Sequence, residues 1–230
     1  MKRAIITIGL MALLLSGQAI AKDFYADGNI ITGEYWSSVY IYDTPPNHTT
    51  VNMSGGRVDT TSIFDASILN MTGGTMFHLF SYEFSTANIS GNDSGSPLDI
   101  FARDNSIINF SGTAQGMEVQ ALNTAIINIT GGAIEDLTVS NSGIINIYAG
   151  DILDALARDN AIINIFGHEL VKWSSGGAFG CGFVQGYYND NYFFNFSFRG
   201  SETYSHVNLI PEPTTILLLV AGGIFLRKKD

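Results

Sequence analysis

One cysteine, Cys181, stands alone in 230 residues. It excludes an internal disulfide, so the fold must be held by its core. Charged residues are few, at 14%, and basic ones fewer still: 11 Lys and Arg against 21 Asp and Glu. Phosphate binding needs Lys and Arg, so this balance excludes nucleic acid as a partner. The four histidines, His48, His78, His168 and His206, show no zinc-site spacing, and no metal site is expected. Neither a phosphate-binding glycine loop nor a Ser nucleophile elbow is present. Cys181 lies between two glycines with no histidine close by, so nothing activates it as a nucleophile. The residues call for no cofactor and no catalytic group. The acidic composition would attract divalent cations, calcium among them.

The basic residues that exist are gathered at the ends. Lys2 and Arg3 precede an apolar run from Ala4 to Leu15, and Ala19-Ile20-Ala21 follows as a small-x-small site. This order describes a secretory signal peptide over residues 1–21, cut by signal peptidase after Ala21. At the other end, Pro211-Glu212-Pro213 introduces an uncharged stretch from Thr214 to Leu226, closed by Arg227, Lys228 and Lys229. Thirteen residues reach about 20 Å as a helix, short for a hydrocarbon core of about 30 Å. Snorkelling of the three basic side chains extends that reach and keeps them on the cytoplasmic side as a membrane stop.

The three parts of this tail, in this order, resemble the PEP-CTERM sorting signal of Gram-negative bacteria. The resemblance covers about 20 residues, 210–230. It implies that an exosortase, a membrane relative of cysteine transpeptidases, recognises the tail and cuts near the PEP motif. The inner membrane would then hold the chain only transiently. Such proteins pass to the cell surface or the extracellular matrix, often alongside exopolysaccharide. An uncut C-terminal anchor is the alternative.

Residues 22–210 carry six basic residues against nineteen acidic, a net charge of −13. A repeat runs through them. "TVNMSGG", "ILNMTGG", "TANISGN", "IINFSGT", "IINITGG", "IINIYAG" and "IINIFGH" align on Asn52, Asn70, Asn88, Asn109, Asn128, Asn146 and Asn164. The spacing is 18 to 21 residues. Each Asn stands between two apolar residues, the pattern of a strand with both neighbours turned inward and Asn turned out. Three residues on comes a glycine column (Ala149 in one repeat), read as a corner with positive φ. Five residues before each Asn, the column Asn47, Asp65, Glu83, Asp104, Asn123, Asn141, Asp159 is rich in residues that tolerate a left-handed corner.

Units this short cannot bury a face alone and must stack. The expected fold is all-β: a parallel β-helix of about seven coils over residues 47–167, carrying a surface Asn ladder. At about 4.8 Å per coil it is about 34 Å long. The uneven spacing and the missing hexapeptide signature favour the right-handed form. Residues 22–46, with Tyr35, Trp36, Tyr40 and Tyr42, are expected to cap one end. Residues 168–209 are expected to cap the other with a β-hairpin in which Phe194, Phe196 and Phe198 alternate.

One constellation suggests chemistry. "ARDN" occurs twice, three coils apart, and sets Arg103, Asp104, Arg158 and Asp159 on one side as a candidate polysaccharide face. Leu122 and Ser140 interrupt it at the Arg position, so no continuous charged site forms, and exposed Arg residues beside turn aspartates, recurring with the repeat, are the favoured reading. Tyr187, Tyr188, Tyr192 and Phe193 are candidates for stacking on sugar rings. The sequence therefore predicts an exported structural or adhesive rod associated with extracellular polysaccharide. A polysaccharide-cleaving enzyme and a carbohydrate-binding module are the rivals.

Overall fold

The computed structural model describes residues 21–93 and 95–211. A first coil is built from β1 (Ala21–Phe24), β2 (Gly28–Ile30) and β3 (Tyr35–Ile41). Two long bent strands follow, β4 (Thr50–Ile63) and β5 (Ile68–Ser81), each making a coil. In the next two coils the strand is broken at the glycine corner, giving β6 (Thr86–Ile89) with β7 (Leu98–Ala102), then β8 (Ile107–Phe110) with β9 (Gln115–Ala121). β10 (Ile126–Val139) and β11 (Ile144–Ala157) are continuous again, and β12 (Ile162–Trp173) opens the last coil. From β2 to β12 every coil lies parallel on the one before, Asn over Asn. The chain is a parallel β-helix.

Alternation explains why the repeats fold this way. The neighbours of each Asn, such as Leu69 and Met71 or Ile145 and Ile147, are fully buried. Identical columns let each side chain pack on its counterpart one coil away, and burying one such Ile or Leu stabilises by roughly 1.5–3 kcal/mol. The column five residues before Asn turns left-handed in six of its seven members, with φ from 56° at Asp65 and Asp104 to 61° at Asn123 and Asp159. Asn47, the seventh, follows Pro45-Pro46 and is not left-handed.

The glycine column behaves differently from expectation. Gly112 is left-handed as expected, at φ 63°, but in four coils positive φ falls one residue later, at Gly56, Gly74, Gly132 and Gly150, and Gly55 and Gly73 are not left-handed. A side chain at Gly73 would put its Cβ 3.1 Å from the Ser54 carbonyl oxygen of the preceding coil. Glycine is needed there because two backbones approach, and at the next position because the backbone turns.

The first end also departs from expectation. Residues 22–46 form a coil of their own, with Asn29 in register with Asn52, so the ladder begins earlier than the motif. Phe24 lies over Gly28, where even a methyl group would strike its ring, and Lys22 covers Phe24 and Trp36 at 4.7 Å from each ring. Tyr40 and Tyr42 are not plugs. They belong to an outward aromatic column, in which Tyr25, Tyr42, Phe64 and Tyr82 stack at 5.2, 5.0 and 5.1 Å down the first coils.

The far end follows the expected plan. β12 continues into an antiparallel pairing with β13 (Phe183–Tyr187), which pairs with β14 (Phe193–Phe198). Phe194, Phe196 and Phe198 are buried, and β14 also lies on β11. After the short helix α1 (Thr203–His206), β15 (Val207–Pro211) returns parallel to β12 and places Asn208 beside Asn164. Among the described residues no helix is long and apolar enough to cross a membrane. Ala21 is the first residue of β1 and Pro211 the last of β15. Ala19, Glu212, Pro213, Arg227, Lys228 and Lys229 lie outside the described residues.

Candidate functional site

Two faces of the coil carry polar side chains, and they differ in what those side chains do. On the Asn face, each carboxamide nitrogen donates to the oxygen of the coil before it. The steps from Asn52 to Asn164 measure 2.8–2.9 Å. Asn29 and Asn208 extend the chain at its two ends, at 3.5 and 3.1 Å. The ladder is therefore nine residues long. Each inner rung uses one N–H and one lone pair within the ladder, leaving one of each toward solvent. The sequence motif finds seven of the nine; Asn29 escapes because Gly28 precedes it and Thr32 stands three residues on, and Asn208 because Pro211 stands there.

The second face holds a row of carboxylates. Asp99, Glu118, Asp136 and Asp154 come from four successive coils, with Asp136 registered directly against both Glu118 and Asp154. The Glu118 amide donates to Asp99 Oδ1 at 3.3 Å, which links the first two. His78 closes one end, its Nε2 3.6 Å from Asp99 Oδ2. Arg199, from the C-terminal cap, closes the other: its Nε is 2.6 Å from Asp154 Oδ1 and its Nη1 3.2 Å from Asp136 Oδ2. Arg199 Nη2 also donates to Thr138 Oγ1 at 2.9 Å. Asp154 is only 4% exposed. Its burial, with Asp136 beside it, outweighs the attraction of Arg199 and pushes its pKa up to about 6. One guanidinium shared between two carboxylates cannot hold both fully ionised at no cost.

This row escaped the sequence reading for a definite reason. Asp136 and Asp154 stand eight residues after their Asn, but Glu118 stands nine and Asp99 eleven after theirs, because those repeats carry insertions. Alignment on Asn scatters the row; stacking restores it. Arg199 had no signal at all, since the cap brings it from outside the repeats.

Beside the row runs a cleft of about 510 Å³, lined by Pro97, Gln115, Ile134, Glu135, Asp151 and Leu153 among others. The insertion between β6 and β7 supplies Pro97, so the longest repeat builds one wall. Tyr192 reaches from the cap and donates from its hydroxyl to Asp151 Oδ1 at 2.9 Å; that bond and the adjacent charge raise its pKa. Tyr192 and Phe193 are each 48% exposed. Tyr187 stacks on His168 at 5.4 Å, and Tyr188 is fully buried against Phe194. Of the four aromatics proposed for sugar contact, then, Tyr188 belongs to the core of the cap, and Tyr192 alone touches a residue of the cleft wall.

The residues of the "ARDN" pair occupy one column, as their spacing required, but they are engaged in corners. Asp104 Oδ1 accepts from Asn123 Nδ2 at 2.9 Å, and Asp159 Oδ2 accepts from the Asn141 amide at 3.1 Å. Arg103 lies 5.8 Å from the Tyr82 ring, capping the aromatic column, and Arg158 pairs loosely with Glu202 at 3.7 Å. None of the four lines either of the two best-formed clefts among the described residues. Cys181 is half-buried, its thiol 3.5 Å from the Phe179 carbonyl oxygen. His48 pairs with Asp43 at 3.0 Å, and His206 contacts the Ala161 carbonyl at 2.9 Å. Among the described residues, no group of three or more His, Cys, Asp or Glu is arranged to hold a metal ion. No protein-family model, curated protein or solved structure matches the chain.

Proposed function

We propose that this is an exported, exosortase-sorted protein of the cell surface or extracellular matrix, acting as a stiff acidic rod that associates with extracellular polysaccharide and does not cleave it. The observation that carries the structural role is the Asn ladder, unbroken over nine strands. A face so uniform offers a repeated donor and acceptor to a hydroxyl-rich polymer and singles out no point for catalysis. The sorting role rests on the sequence of the tail. The aromatic column argues for stiffness as well: its rings lie nearly parallel, 4–11° apart, so they cover one another and present edges outward.

A second reading, a polysaccharide-active enzyme, draws on Asp136 and Asp154, two adjacent carboxyls, the second with its pKa pushed up to about 6 by burial. Against it, Asp154 is buried and clamped by Arg199, out of reach of a substrate. The full chain, exported from a Gram-negative host and purified in mild detergent, is to be incubated with acidic and neutral polysaccharides, with and without calcium. Co-sedimentation without new reducing ends or unsaturated products is the expected result. Cleavage that disappears in Asp136→Asn or Asp154→Asn, or in Arg103→Ala or Arg158→Ala, makes the protein an enzyme. For sorting, Pro211→Ala with Pro213→Ala is expected to leave the chain in the membrane fraction; unchanged surface delivery contradicts that part of the reading.

A further inference from the structure

The two ends of the rod are complementary to each other. In the strand order, β1 and β15 are the two edges, and among the described residues β2 pairs only with β4 and β15 only with β12. Each end therefore presents a strand with one side of its backbone unpaired, the arrangement that invites another strand. The Asn ladder gives these edges a polarity. Every rung donates toward the preceding coil, so Asn29 accepts from Asn52 and keeps its own amide hydrogens free of the ladder. At the other end Asn208 donates to Asn164 and keeps its oxygen free. One end offers donors and the other an acceptor, the same relation that joins successive coils. Docking two like ends would set donor against donor, or acceptor against acceptor.

Both ends also expose apolar side chains, as do Phe84 and Leu153 along the rod. Tyr25, Ile31 and Tyr35 are 58%, 55% and 44% exposed around the first coil; Val171, Trp173 and Phe179 are 43%, 38% and 51% exposed around the last. Tyr25 is also the terminal ring of its column, stacked on Tyr42 on one side only. At a repeat of about 4.8 Å the two ends lie about 38 Å apart, too far for one chain to join its own.

We propose that the chain associates head to tail with further copies of itself, β15 of one copy pairing in parallel with β2 of the next, so that Asn29 continues the ladder beyond Asn208. A heterologous contact of this kind does not close, and it builds an open filament. The acidic surface opposes it, so association strengthens as salt screens the repulsion. The proposal is independent of what the rod binds along its length.

The register makes a specific test. With Asn29 over Asn208, Ile31 of one copy faces Ile210 of the next, at strand spacing and within disulfide reach. In the full chain carrying Cys181→Ser, the pair Ile31→Cys and Ile210→Cys is expected to yield a regular series of disulfide-linked dimers, trimers and longer species under oxidation. Either substitution alone is expected to yield none of the higher members. Monomers only from the pair, or dimers from a single substitution as abundant as from the pair, overturn the proposal. Sedimentation of the unsubstituted chain needs no variant: its average size is expected to rise with concentration and with salt, and Asn208→Lys is expected to weaken association about tenfold. A single monomeric species at every concentration overturns it as well, including the case where the chain's own terminal segments cover the ends.

Discussion

The Asn face and the carboxylate face are built by the same strands, yet they use repetition in opposite ways. Along the Asn face the same residue recurs and each copy satisfies its neighbour, so the face is self-sufficient. Along the other face, acidic residues stack where like charges repel, and the row depends on His78 at one end and Arg199 at the other. A ladder of neutral amides propagates; a ladder of carboxylates needs partners at its ends, the Arg199 guanidinium above all. The regular face holds the rod together by its own bonds, and the irregular one carries the insertion-built cleft.

Removing the terminator is the strongest way to break this contrast. Arg199→Ala leaves Asp154 buried beside Asp136 without a cation, and a loss of about 3–5 kcal/mol is expected in denaturant unfolding near pH 7. Adding Asp154→Asn to that variant is expected to restore much of it. If Arg199→Ala costs no more than an exposed surface change, the row does not depend on the cap.

A pH series sharpens the same point. The folded pKa of Asp154 is raised to about 6, above its ordinary 3.8, so between these values the folded state holds more protons than the unfolded one. This contribution is therefore favourable at about pH 4 and lost as pH rises through 6, a change on the order of 1–3 kcal/mol. Asp154→Asn is expected to flatten that slope. A slope unchanged by the substitution assigns the pH dependence to other groups.

The Asn face should be more forgiving, because its rungs are half-exposed and water can replace a partner. Asn128→Ala interrupts the ladder in the middle and is expected to cost about 1–2 kcal/mol. Asn29→Ala removes only the first rung and is expected to cost less than about 1 kcal/mol. Equal losses at the two positions, measured by thermal unfolding, would show that the rungs act singly and do not form a connected chain.

Much of this was legible before any coordinates. The apolar-Asn-apolar alternation dictates an inward-outward strand, and its recurrence at a near-constant short interval favours stacking each unit on its copies over an antiparallel sandwich. The left-handed corner followed from Asp, Asn and Glu at a fixed offset, and the antiparallel cap from alternating Phe194, Phe196 and Phe198. The sequence settled the period, the direction of each side chain and the parallel stacking, since all three depend on residues close together in the chain. Tertiary structure alone decided which residues of different coils meet. Insertions shift Asp99 and Glu118 in sequence but not in space, Arg199 arrives from the cap, and Asn29 and Asn208 join the ladder without its motif. Lateral hydrogen bonding between strands sets the register across coils, and counting along the chain does not reveal where an extra residue bulges out.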